Sequence, residues 1–547
     1  MRKFLILLLS VLFIGLVACS SDSKDEEDQS EGSKDQVEQG KSDGEPQEGG
    51  KIVVGTSTEP ESLDPHNTGQ AAANIITGNI GGSLVFQNPE TMEFEPYLAE
   101  SWETSDDGKV WTFKLREGIT FHDGSELTAN DFVNTYERAQ ETSFVASGNL
   151  NELETAEAED DYTLVLTLKE PFAPLLQYLS DPGWLQPLPT GAIEEDKDLS
   201  RELIGVGPWK FEEWDNGQSI LLSKFEDYNW APEFFKNNDG PVYADELEYK
   251  FIGETQTMLA ALDSGSIDIA ANVPANQIQQ YLDNDDYYVL ERPRNGLGLF
   301  IEFNLENPTF EQIEIREAIN YAIDKESLLK AVLDGQGEVS YGALPSSFFG
   351  YDENVDEYGY HYDVEKAKEL IESVGYTEGS DGIYEQDGEP LKVELMTQVE
   401  GESWMETATL LQAMLGQAGI DVSIDAREWG SLLETATNHQ FEMTLMGYTY
   451  NDPDVLNLFL HSAEADGGLN AGSIKDDHLD ELLEKGRKTV DQDERKEIYF
   501  EIQEYVNEQA YWAPLITESQ YYVVNKDLKN LSLHPLLNLL FQDGWVE

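Results

Sequence analysis

Catalysis in this chain would have to be built from its histidines, its carboxylates and a single thiol. The seven histidines, His66, His122, His361, His439, His461, His478 and His534, are scattered. No two stand at metal-ligand spacing on one helix, and no His-Glu-x-x-His segment occurs. A Gly-x-Ser-x-Gly turn, a phosphate-binding Walker loop and a Gly-x-Gly-x-x-Gly segment are also missing. With 108 Asp and Glu, carboxylate pairs arise by chance, so nothing singles out a glycosidase-type dyad. These residues predict no catalytic centre, no cofactor and no resident metal.

The thiol belongs to different chemistry. Cys19 is the one cysteine, which excludes a disulfide within the chain and a Cys-based zinc site. Arg2 and Lys3 precede an apolar run over residues 4–18. Such a run is short of the roughly 20 residues a bilayer span needs, but suits the core of a signal peptide. Its end, Leu16-Val17-Ala18-Cys19, resembles the lipobox of bacterial lipoproteins. That likeness implies cleavage after residue 18, a diacylglycerol on Cys19 and a protein held on the outer face of the cell membrane. An ordinary secretory signal ending near a cysteine is the other reading. Residues 20–50 hold eleven acidic and three basic residues, a net charge of −8, and only one aliphatic residue, Val37. They read as an extended, self-repelling linker.

The remaining residues must be placed by folded elements. Lys51-Ile-Val-Val-Gly55 reads as a strand, as do the alternating stretches 110–116 and 162–168. Thr128-Ala-Asn-Asp131 has the form of a capping box opening a helix with Phe132, Val133 and Tyr136. Ile315, Ile319, Ala322 and Ile323 recur at helical spacing in a segment that Gly335 closes. Leu479, Leu482 and Leu483, then Ile498, Ile502, Tyr505 and Val506, form two further stripes. Strands alternating with helices predict an α/β fold with mixed sheets. The length, 547 residues, predicts three or four domains or subdomains. A formal charge of −74, from 34 basic against 108 acidic residues, excludes nucleic acid as a partner. It also hints at a saline or alkaline habitat.

Seven segments, in order, resemble the solute-binding lipoproteins of peptide-type ABC importers, the oligopeptide- and dipeptide-binding family. They are Leu63-Asp-Pro-His66, Leu98-Ala-Glu-Ser-Trp102 with residues 107–118, Phe121-His-Asp-Gly124, Leu127-Thr-Ala-Asn-Asp-Phe132, Gly205-Val-Gly-Pro-Trp209, residues 261–268 and residues 315–324. The resemblance implies a two-lobed clamp with an inserted subdomain. Lobe one would take residues 51–82, 205–294 and 513–547, the insert 83–204, and lobe two 295–512. Segments near 205–210, 294–300 and 513 would cross the hinge, with Gly296, Gly298 and Pro514 beside it. The implied role is a monomeric receptor that is not an enzyme. It would capture short peptides or peptide-like solutes and pass them to the transmembrane permease subunits. A nickel chelate, another metal complex or a saccharide stays open as cargo, because one fold hosts many ligands. A secreted hydrolase is the contrary class.

The resemblance also implies contacts. The backbone of Gly69, Gln70 and Ala71 would pair with an extended ligand as an added strand does. The loop Gly447-Tyr-Thr-Tyr-Asn-Asp-Pro-Asp454 would bring Tyr448, Tyr450, Asn451 and Asp452 to the cleft. Between Gly447 and Pro453 it is about two residues shorter than in peptide-binding relatives. Asn451 stands where they carry the Asp that meets the ligand's α-ammonium. Asp452 is the nearest substitute, and a helix or turn cap before Pro453 is its other possible role. His461 would stand on the surface, line the cleft or coordinate a metal complex.

Overall fold

A computed structural model describes Gly40 and residues 44–399, 402–536 and 538–547. Cys19, the leader and most of the acidic linker lie outside the described residues. Two large sheets organise the body. The first has seven strands in the order Tyr287–Pro293, Ser519–Asn525, Ile269–Ala271, Lys51–Thr56, Glu246–Phe251, Ser219–Lys224 and Trp209–Asp215. Lys51–Thr56 runs parallel to both its neighbours, and the flanking pairs are antiparallel. Its core side is aliphatic and aromatic, with Ile52, Val54, Leu247, Tyr249, Tyr522 and Val524 buried.

The second sheet has six strands in the order Glu338–Val339, Trp512–Thr517, Leu299–Phe303, Met443–Met446, Lys392–Gln398 and Asp421–Arg427. Every residue of Leu299–Phe303, Met443–Met446 and Trp512–Thr517 is buried. Strands covered on both faces read as near-continuous apolar runs, interrupted here by the buried Glu302 and Thr444, which explains why alternation is missing there. Between the first two strands of lobe one's course lies the insert. Its four-stranded antiparallel sheet, Ala99–Thr104, Val110–Leu115, Thr163–Leu168 and Leu153–Asp160, packs Trp111, Phe113, Leu164 and Leu166 inward.

The capping box forms as the spacing predicts. In the helix Ala129–Thr142, Asp131 Oδ2 accepts from the Thr128 N–H at 2.8 Å, while Oδ1 accepts from the Thr190 N–H at 2.8 Å. The segment expected as one helix from 315 to 333 is instead two, Ile313–Ala322 and Lys325–Val332. Asp324 breaks it, because its carboxylate accepts from the Ser327 N–H at 3.0 Å and starts a new helix.

Two expected hinge positions move. Residues 205–210 do not cross between lobes; Trp209 starts an outer strand of the first sheet, where the chain returns from the insert. Nor does the chain return at 513. Pro514 lies inside the second sheet, opposite Phe300 at a bulge. The crossings are residues 294–298 outward and Glu518 on return, side by side, with the Arg294 N–H donating to the Glu518 carbonyl at 2.8 Å. Gly296 and Gly298 have φ of +129° and +58°. A Cβ on Gly296 would fall 2.0 Å from the Tyr448 carbonyl oxygen, so that approach requires glycine.

Candidate functional site

The chain crosses twice between the lobes beside the loop that starts at Gly447. The Leu297 N–H donates to the Tyr448 carbonyl at 2.8 Å, which fastens the loop to the outward crossing. Between them is a cavity of about 150 Å³ lined by Arg294, Asn295, Trp404, Tyr448, Thr449 and Glu518 among others. Tyr448 is held by its ring neighbours: Phe459 at 4.2 Å, Trp429 at 5.9 Å and Phe300 at 6.4 Å between centroids. Trp404 meets Trp429 edge-on at 6.2 Å. Rigid aromatic walls give contact area at small entropic cost.

Two residues on, the Tyr450 hydroxyl stands 3.3 Å from that of Tyr178, a residue of the insert. The insert and lobe two thus touch at this tyrosine pair. Asn451 is half-buried. Asp452 is not where an ammonium-binding carboxylate would be. It is fully buried, and Arg495 grips both its oxygens, Nη2 to Oδ1 at 2.6 Å and Nη1 to Oδ2 at 3.1 Å. Arg495 is itself only 3% exposed, so the two charges satisfy one another inside lobe two. Oδ1 also accepts from the Asp454 N–H at 2.8 Å, so the turn-capping role holds as well. Burial pushes the Asp454 carboxyl up to about 7 against the pull of Arg487, whose Nε lies 3.7 Å away.

On the opposite lobe, Gly69 and Ala71 are exposed and Gln70 is half-buried. Gln70 is extended (φ −86°, ψ 128°), but Ala71 is already the first residue of the helix Ala71–Ile80. The stretch able to pair as an added strand is therefore shorter than three residues. In its first turn the Ala73 N–H donates to the Gln70 carbonyl at 3.0 Å, and the Asn74 N–H donates to the same oxygen at 3.3 Å. Arg138 pins the preceding loop: its guanidinium holds Asp64 at 3.0 and 2.6 Å and approaches His66 Nδ1 at 2.7 Å. Burial, with Arg138 beside it, pulls His66 down to about 4. The same helix meets the insert through Asn74, whose Nδ2 lies 3.5 Å from Asp181 Oδ1.

His461 lies outside the cavity lining, near Asp480 and Glu484 at 3.7 Å each. Among the described residues, no group of three His, Cys, Asp or Glu side chains is arranged to hold a metal ion. Sequence reasoning missed Arg495, Trp404, Arg294 and Glu518. A lone arginine or glutamate among so many charges carries no local signal; only the fold brings it to a partner.

Comparison with known proteins adds a lineage. Residues 93–468 match the family model described as bacterial extracellular solute-binding proteins, family 5 Middle. Over 100% of its length the chain is 28% identical to the oligopeptide-binding protein AppA of Bacillus subtilis, covering 99% of that protein. Over 90% of its length it is 26% identical to the di/tripeptide-binding protein 1 of Pseudomonas aeruginosa, covering 93% of it. Among solved structures, AppA in complex with a nonapeptide is similar at TM-score 0.63 and 26% identity, covering 92% of this chain and 100% of that one. HbpA2 from Haemophilus parasuis shares the fold at TM-score 0.81 and 23% identity, covering 91% and 100%.

Proposed function

The chain belongs to the bacterial extracellular solute-binding proteins of family 5, and from that premise we propose that it captures short peptides or peptide-like solutes for an ABC importer. The lobes would close on the solute and present it to the transmembrane permease subunits, with no covalent chemistry at the site. The observation that carries this reading is the cavity at the double crossing, walled by Trp404 and Tyr448 and edged by the backbone of Gly447 and Gly298. Aromatic faces and main-chain groups read what all peptides share, and water fills the spaces that side chains leave. Gly69 and Gln70 would add backbone contacts from lobe one, and Tyr450 would close the groove. In this reading the receptor works as a monomer, and a diacylglycerol on Cys19 keeps it at the outer face of the cell membrane; two acyl chains anchor where one would not.

Native mass spectrometry of protein purified from its own host tests the cargo. A co-purifying peptide or mixture of peptides is the expected result. A co-purifying metal chelate or saccharide would replace the peptide reading while leaving the receptor role.

A further inference from the structure

The loop from Gly447 to Asp454 offers no available carboxylate to a cationic ligand. Asp452 is taken by Arg495, Asp454 is 2% exposed, and residue 451 is an asparagine. A ligand that carries an ammonium must meet its counter-charge elsewhere. The cavity at the double crossing has two charged groups in its lining, Arg294 and Glu518. Arg294 Nη1 stands 3.3 Å from Glu518 Oε2, and the two side chains are 64% and 34% exposed. One long contact between exposed groups is weak, so a ligand can part the pair.

Resting on the peptide reading above, we propose that the Arg294–Glu518 pair reads the charges of the ligand, and that the ligand is a short zwitterion of dipeptide size. Glu518 accepts from the α-ammonium, and Arg294 donates to the carboxylate. The charge balance selects this class. A lone cation at Glu518 would leave Arg294 unpaired beside it, and a lone anion at Arg294 would do the same to Glu518. A zwitterion replaces one ion pair by two and leaves no partially desolvated charge alone. The space limits the ligand to a small one: about 150 Å³ equals about five waters at about 30 Å³ each, so only the shortest peptides suit it. Trp404 and Tyr448 then cover the apolar middle of the ligand. Because the pair sits on the two segments that join the lobes, bound ligand also fastens the hinge, already tied by the Arg294 N–H to the Glu518 carbonyl at 2.8 Å.

The test is calorimetric titration of the mature protein with three dipeptide mixtures: unmodified, N-acetylated and C-amidated. The wild type is expected to bind the unmodified mixture at least tenfold more tightly than either blocked one. Glu518→Gln should abolish the preference over the acetylated mixture and keep that over the amidated one. Arg294→Met should do the reverse. Circular dichroism melts like the wild type's establish that the variants fold, and should one not fold, the wild-type preferences decide. Wild-type binding without preference, or folded variants that keep both preferences, would overturn the hinge-pair assignment and leave the peptide reading standing. No binding of any mixture by the wild type would overturn both.

Discussion

Asp452 and Arg495 form a pair whose net worth is small but whose halves are costly apart. Desolvating two charges consumes most of their attraction, so removing both is mild, whereas removing one leaves a buried charge without a partner. Arg495 has more to lose than its ion pair: its Nε donates to the Gly486 carbonyl at 3.0 Å, and its guanidinium lies over Phe349 and Tyr499 at 5.3 and 5.2 Å. Arg495→Met is therefore expected to destabilise the protein by about 3–5 kcal/mol in urea unfolding. Adding Asp452→Asn should restore a good part of that loss. If the double variant were as unstable as the single one, the buried charge would not be the cause. The aspartate's place in an Asp-Pro turn was visible in the sequence. Its partner was not, because 43 residues separate the two and no periodic pattern links them.

Among the elements, the return of the chain from the insert shows how sequence motifs far apart serve one joint. His122 Nδ1 accepts from the Gly205 N–H at 3.3 Å, and Nε2 then carries the proton donated to the Gly207 carbonyl at 2.9 Å. A Cβ on Gly205 would sit 2.0 Å from the Ile80 carbonyl oxygen, and one on Gly207 2.2 Å from that of Gly81. The glycines thus let two backbones touch, and the histidine clasps them from outside. Burial holds His122 down to about 4 from its usual 6.5. In that window the unfolded chain takes up a proton that the native one refuses, so stability is present above about 6.5 and lost as pH falls toward 4. His122→Gln is expected to lower stability at pH 7 and to lose less on going from pH 7 to pH 4 than the wild type. Thermal melts across that range check it; parallel losses in both proteins would remove His122 from the acid response. His66 keeps part of the slope in the variant, since it too is held down.

On the scale of the whole molecule, the insert and lobe two are joined at a place away from the cavity. The Phe94 N–H donates to Gln492 Oε1 at 2.9 Å, and Gln492 Nε2 reaches back to the Phe94 carbonyl at 3.3 Å. Lys496 pairs with Glu93 at 2.6 Å, and the Ala173 N–H donates to the Arg487 carbonyl at 2.8 Å. Neither Gln492 nor Lys496 lines the cavity, so these contacts favour closure without touching a ligand. The apparent affinity of a clamp scales with the fraction already in the competent state. Lys496→Glu combined with Gln492→Ala should enlarge the ligand-free protein in small-angle scattering. It should also weaken every ligand by one common factor. An unchanged radius together with unchanged affinities would deny these contacts any part in closure.

The strands at 51–55, 110–116 and 162–168, the capping box at Thr128 and the helical stripes near 479 and 498 were legible in the sequence because each rests on neighbours within a few turns of chain. The motifs named the family for a similar reason: each is a local solution to a turn or a cap, and seven in sequence leave little to coincidence. The exact crossings, the helix break at Asp324 and the two charge pairings had no such signature. Trp512–Thr517 reads equally well as a strand of either lobe, and only pairing with Leu299–Phe303 assigns it to the second. Arg294 and Glu518 lie 224 residues apart, and what brings them together is the adjacency of two crossing segments. Electrostatic partners act through space over a few ångströms, whereas periodicity records only which side of an element faces the core; hence the tertiary structure alone decided which charges remain for a ligand.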